Sequence, residues 1–265
     1  MTKNKFLISL TWELKNLFRF PFPEIMLAIF TYMFFVSRIA DFSYSSDLES
    51  LSWQSFTFRL AFHSSRVGAE YSVSAYLPMA ILASIFATIS FAYEIENGLM
   101  KVHLSNPTSK RSIFLSKWLS CFVIIFTTLS CAMLFFAFLN APENDLYLLV
   151  NSELTFGMLL IAASESLFIV SLTVAFSIFS RKASVSLVGS FATVYMIQLL
   201  GDAANLSFLP PTSFGVQVDF LFRKVFYPIM GPQLSGLPNF LVMPIASLFL
   251  TVVCYVYFSR RLELT

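Results

Sequence analysis

The chain has 265 residues, of which 57% are hydrophobic, 17% aromatic and only 12% charged, with a mean hydropathy of +0.75. That charge fraction is about half that of an ordinary soluble domain and argues against a soluble globular protein. The net charge of +2 gives no basis for electrostatic binding to nucleic acid.

The elements follow in chain order from where charge is missing. Residues 1–21 read as a helix lying in the membrane interface. Phe6, Leu10, Leu14 and Leu17 recur at helical spacing, Lys5, Glu13, Asn16 and Arg19 fall on another face, and Pro21 and Pro23 end the helix. Glu13 and Lys15 break the apolar stretch before a cleavable signal could form. A first span is expected over 22–40, where Ile25–Ser37 is free of charge and Glu24 and Arg38 sit at opposite interfaces. Residues 71–93 carry no Asp, Glu, Lys or Arg and predict a second span. Each such gap is long enough to cross a hydrocarbon core of roughly 30 Å at about 1.5 Å per residue.

The segment 94–117, EIENGLMKVHLSNPTSKRSIFLSK, is the one substantial loop on its side. Ile95, Leu99 and Val102 have helical spacing, so the second span is expected to run on into a short helix with a soft point at Gly98. Asn106 and Pro107 break that helix, and Thr108 or Ser109 can cap a new one that leads through Lys110 and Lys117 into the third span. Two carboxylates near one helix and a basic cluster on the next make a polar elbow at the membrane surface. A solvated loop anchored by basic residues accounts for the same composition.

Further spans are expected over 118–140, 155–180, 184–201 and 239–258, giving six in all. The runs are continuously apolar, which excludes a β-barrel with its alternating pattern. An even number of spans puts both termini on one side, and 12 of the 17 basic residues then share it: Lys3, Lys5, Lys15, Arg19, Lys101, Lys110, Arg111, Lys117, Arg181, Lys182, Arg260 and Arg261. The positive-inside rule makes that side cytoplasmic, and the expected location is the plasma membrane. Cys121, Cys131 and Cys254 all fall within spans, lack CxxC spacing, and read as packing residues.

Glu165 is the one ionisable residue in the fourth span, and a charge at that depth is a functional candidate by default. It reads either as a polar contact on a substrate path or a proton acceptor, or as a neutral acid satisfied by neighbouring hydroxyls. Ser164, Ser166 and Ser171 flank it, and Ser84, Thr127 and Ser130 lie at similar depth. The outer segment 202–238 is unusually apolar for a loop and rich in proline. A piece such as Val218–Tyr227 is expected to dip back into the outer leaflet or to lie as an interfacial helix, and sequence does not choose. Small residues stripe the second span (Ala80, Ser84, Ala87, Thr88) and the fifth (Ser186, Gly189, Ser190, Thr193), where they fit a dimer seam and intrachain packing equally well.

Glu94-Ile95-Glu96-Asn97-Gly98, followed by Pro107-Thr108-Ser109-Lys110-Arg111, Ile113 and Lys117, resembles the loop between the second and third helices of type-2 ABC exporter permeases. The match spans about 24 residues, in step with the topology, and departs at Leu99, where the family often has Thr. The resemblance implies a six-helix permease working as a homo- or heterodimer and driven by a separate ATP-binding subunit. ATP and Mg would be bound by that partner, consistent with the lack of a GxxxxGK[ST] phosphate loop here. It also implies that 94–117 couples the two. Glu94 and Glu96 would stabilise the elbow or contact the ATPase, Gly98, Pro107, Lys110 and Arg111 would shape and anchor it, and Leu99, Val102 and Leu104 would fill a groove on the partner. A secondary carrier and a membrane scaffold are the alternatives. An intramembrane hydrolase is disfavoured, because His63 and His103 are the only histidines and neither HExxH nor GxSG occurs.

Overall fold

The computed structural model describes residues 2–17, 25, 28, 76–105, 109–140, 152–203, 209, 210, 213, 214, 216, 217, 220, 221 and 241–261. All of its regular structure is helical: α1 (Thr2–Leu17), α2 (Tyr76–Glu96, with a π-helical stretch Thr88–Tyr93), α3 (Leu99–Ser105), α4 (Lys110–Asn140), α5 (Ser152–Ser180), α6 (Ala183–Ala203) and α7 (Val242–Arg261). Among the described residues, five stretches are long and apolar enough to cross a membrane: Tyr76–Glu96, Lys110–Cys131, Thr155–Ser180, Ala183–Gly201 and Val242–Arg260. They occupy five of the six expected positions. Apart from Ile25 and Ala28, the expected first span at 22–40 lies outside the described residues, as do 71–75 and Pro107.

Helix α5 is the centre of the bundle, packing against α2, α4, α6 and α7. Most of it can be buried because, between its start at Ser152–Glu153 and its end, Glu165 is the one charged residue, while Phe156, Leu160 and Phe179 stay exposed. Ile161, Ala162, Ile169, Val170, Val174 and Ile178 enter a continuous core with Phe86 and Phe91 of α2, Phe114 and Ile125 of α4 and Phe258 of α7. At the Lys-rich end, Phe91, Phe114 and Phe258 meet with ring centroids 5.5–6.3 Å apart, tying three helices where the chain leaves the bundle.

The two small-residue stripes serve packing within the chain. Thr88 Oγ1 lies 2.8 Å from Ser186 Oγ, which is 2.6 Å from Ser177 Oγ, so three hydroxyls join α2, α6 and α5 in a buried cluster. At Gly189 the ring of Phe176 occupies the space a β-carbon would need. Outward, α6 and α7 expose Val188, Met196, Leu200, Ile245, Phe249 and Val252, an apolar surface compatible with lipid or another transmembrane subunit.

Helix α1 packs on α4, and here the structure corrects the sequence expectation. Glu13 is expected on a different face from Leu17, yet the two are buried together, while Leu7, Ile8 and Trp12 are exposed apolar residues. Hydrophobic periodicity treats water as the sole partner for a carboxylate. In this helix the partner is a lysine on α4.

The candidate coupling elbow

The residues that build the elbow begin on α2. Glu94 and Glu96 are two apart, so on a helix they point roughly 200° from one another and reach different neighbours. Glu94 turns inward. Its Oε1 accepts a 2.7 Å hydrogen bond from Lys117 Nζ, and the same ammonium lies 2.7 Å from Glu13 Oε1. Lys117 is wholly inaccessible to solvent. One cation thus clamps carboxylates from α1 and α2 onto α4, with the aliphatic lysine stem packed in the apolar core.

Glu96 turns the other way. Its Oε2 accepts a 2.7 Å hydrogen bond from the backbone N–H of Ala183, an otherwise orphan donor in the first turn of α6. A carboxylate there is also favoured by the helix dipole. The turn it holds, Ser180–Lys182, places Arg181 at φ 56°, with its guanidinium 6.0 Å from the ring centroid of Tyr257 on α7. Glu94 and Glu96 therefore both have partners within the chain, Glu94 in the buried interior and Glu96 at an exposed position.

Gly98 is the hinge point between α2 and α3. Its φ of +72° is the left-handed conformation that terminates α2, and its N–H bonds Ile95 O at 3.2 Å. Helix α3 then starts on Gly98 itself, with Lys101 N–H bonding Gly98 O at 3.0 Å. Met100 is fully buried and His103 half-buried, whereas Leu99 and Val102 stand exposed, Val102 by 62%. His103 Nε2 is 3.8 Å from Glu94 Oε2, and its ring meets Trp12 of α1 edge-on at 5.7 Å. The backbone of Leu104 continues α3. Ser109 caps α4 by accepting from Ser112 N–H at 3.2 Å, the other cap candidate, Thr108, lies outside the described residues, and Lys110 and Arg111 open that helix.

With both carboxylates ionised, the Glu13–Lys117–Glu94 cluster holds two negative charges around one positive charge. Burial pushes the Glu13 carboxyl above its usual range, with the ammonium of Lys117 opposing the shift. Sequence reasoning singled out Glu94 and included Lys117 in the motif but missed Glu13 as its partner, 104 positions away. The fourfold spacing of Ser9, Glu13 and Leu17, with Ser9 Oγ 3.0 Å from Ser116 Oγ, is the local pattern that could have marked this face.

Glu165 is remote from the elbow. It is fully buried on α5, 13 residues from the start of the helix, and neither carboxylate oxygen has a hydrogen-bond partner among the described residues. The hydroxyls expected to satisfy it do not: Ser171 bonds Thr251, Ser84 bonds the carbonyl of Ala80, Thr127 faces outward, and Ser164, Ser166 and Ser130 are themselves unpartnered. Eight residues earlier on α5, Leu221 presses against Gly157, where an added β-carbon would lie 2.5 Å from Leu221 Cδ2. Most of Val218–Tyr227 lies outside the described residues.

The family model described as ABC-2 family transporter protein matches residues 24–261, nearly the whole chain. The chain has no match among curated proteins. The match covers all five apolar helices and the elbow between α2 and α4, and the chain therefore belongs to the ABC-2 transporter family, as an integral membrane protein of the permease type.

Proposed function

We propose that the chain is the membrane-spanning subunit of an ATP-driven exporter in the plasma membrane, with its termini and elbow in the cytoplasm. It works as a pair of permease subunits and is moved by a separate ATP-binding subunit that holds ATP and Mg. The observation that carries this reading is the construction of the elbow. Helix α3 presents Leu99 and Val102 outward while Met100, His103 and the Glu13–Lys117–Glu94 clamp tie its other side to α1, α2 and α4.

Such an arrangement suits force transmission. A partner that grips the exposed apolar side of α3 moves a rigid block, because the buried ion cluster and the Glu96 cap resist local bending. The displacement passes to the α5–α6 turn through Glu96 and to α4 through Lys117. The π-helical stretch directly above the elbow gives α2 a place to change register, as such stretches lack the ordinary i to i+4 bonding. With six helices per subunit leaving little room for a pathway, the exposed faces of α6 and α7 supply surface for a second subunit and for lipid.

Co-expression with a candidate ATP-binding subunit tests the proposal. Val102→Glu is expected to abolish stoichiometric co-purification and substrate-stimulated ATP hydrolysis while leaving membrane insertion intact. Full association and turnover by that variant would refute the docking assignment.

A further inference from the structure

Helix α2 reaches the elbow through the π-helical residues Thr88–Tyr93, set between α-helical turns on both sides. Ala87 before the stretch and Glu94 after it have ordinary α backbone angles, with φ −62° and −70°, so the helix runs through without a break. A π turn closes i to i+5 bonds where an α turn closes i to i+4 bonds, and it therefore holds one extra residue. That residue decides which side chains face the neighbours below it. With Tyr76–Ala87 held in place, an α-helix through Thr88–Tyr93 would carry every residue from Glu94 onward about 100° further round and about 1.5 Å further along the axis. Tyr93 would then stand where Glu94 now stands, Glu94 where Ile95 stands, and Ile95 where Glu96 stands.

The contacts divide into those that hold the π register and those that yield. Phe91 holds it, with its ring 5.9 Å from that of Phe114 and 6.3 Å from that of Phe258. Thr88, bonded to Ser186 at 2.8 Å, opens the stretch and keeps its place in either register. The clamp is the part that yields. Glu94 is the second carboxylate on one ammonium, and its Oε2 has no hydrogen-bond partner among the described residues. Its departure to the half-buried position of Ile95 leaves Lys117 paired one to one with Glu13. Tyr93, half exposed in the π register, brings in a phenol oxygen able to accept from the ammonium. Glu96 is exposed, so the Ala183 N–H that it releases passes to water.

We propose that α2 has two registers, the π register of this structure and an α register one residue on, and that the step between them is the switch of the elbow. This rests on the permease reading and gives the coupling motion a form. The clamp and the Glu96 cap resist a gradual bend, so the elbow yields in one whole-residue step that turns Gly98 and α3 with it.

The test reads the register with a short thiol crosslinker in lipid nanodiscs, using the full chain with Cys121, Cys131 and Cys254 replaced by Ala. The pair Glu96→Cys with Ala183→Cys reports the π register, and Ile95→Cys with Ala183→Cys reports the α register. Deleting Ile89 removes the extra residue, so that an ordinary α-helix keeps Thr88 at Ser186 and Glu94 at Lys117. The undeleted chain is expected to crosslink through both pairs, and the deletion to leave the 96–183 rate within about twofold while slowing the 95–183 rate at least roughly tenfold. No 95–183 crosslink in the undeleted chain, an equal 95–183 rate with and without Ile89, or loss of the 96–183 crosslink on deletion would overturn the two registers. If the deleted chain does not fold, the undeleted chain assembled with a candidate ATP-binding subunit decides. Trapping nucleotide there is expected to raise the ratio of 95–183 to 96–183 crosslinks about tenfold, and an unchanged ratio overturns the proposal. An ATP-binding subunit that fails to associate counts against the permease reading, while the crosslinking rates of the chain alone still decide the registers.

Discussion

Replacing Lys117 with Met keeps the volume of the side chain and removes the cation shared by two buried carboxylates. Each ammonium–carboxylate contact is 2.7 Å, a gross attraction of about 6 kcal/mol at an effective dielectric constant of about 20. Withdrawing the three ions from water costs several kcal/mol apiece, so the intact cluster contributes little net stability. Without the lysine, the attraction disappears and two acids remain buried side by side, a loss of about 3–5 kcal/mol. Thermal unfolding in detergent reads this through tryptophan fluorescence, since Trp12 contacts His103 and Trp118 follows Lys117 in the chain. The triple variant Lys117→Met, Glu13→Gln, Glu94→Gln is expected to recover most of the loss, because neutral groups in place of a buried ion cluster are nearly equivalent to it. A single variant within about 0.5 kcal/mol of wild type would refute the clamp, that being the range of ordinary surface substitutions. So would a triple variant no more stable than the single one.

The remaining predictions address the same elbow and its support. Burial raises the Glu13 carboxyl above its ordinary value of 4.5, so the folded state binds the proton more tightly than the unfolded state and this group's contribution to stability falls as pH rises from 4.5 through the raised value; Glu13→Gln should flatten the melting temperature against pH over that window, and an unchanged slope would contradict the assignment. Gly98→Ala meets no atom within 4 Å but must hold φ at +72°, a cost of about 1–2 kcal/mol, and should fold with a lowered melting temperature. Gly98→Pro fixes φ near −65° and should insert yet lose substrate-coupled ATP turnover, whereas normal turnover would contradict a role for this turn. Gly189→Ala drives a β-carbon into the ring of Phe176 and should destabilise the bundle by about 1–3 kcal/mol, with Phe176→Leu restoring part of it; an unchanged melting temperature would show that α5 and α6 are not so closely packed.

Much of this architecture is legible along the chain because a membrane reduces the problem to gaps in charge. The second to sixth expected spans each overlap a described helix, and the break at Gly98 and the start of α4 after Ser109 follow from local chemistry that glycine and serine carry by themselves. What was illegible is long-range. Nothing local to Glu13 says that it faces Lys117, and nothing local to Glu96 says that it caps Ala183, 87 positions on. An amphipathic pattern assigns polar residues to water; Glu13 defeats it by finding a buried partner, and Glu96, though exposed, is held by a backbone N–H of another helix. The π-helical stretch is equally silent, since Thr88–Tyr93 has no residue that an α-helix would refuse. Glu165 was visible as an anomaly, but its orphaned state depends on where every neighbouring hydroxyl points, which only the assembled bundle determines.

The central claim is that the exposed side of α3 is where an ATP-binding subunit grips the permease. Photocrosslinking tests it most directly: a photoreactive residue in place of Val102, with one in place of Phe249 on the outward face of α7 as control, in membranes co-expressing the two subunits. A nucleotide-sensitive crosslink from position 102 to the ATP-binding subunit, and none from 249, is the expected result. Crosslinks from 102 to lipid alone, or equal capture from both positions, would contradict it.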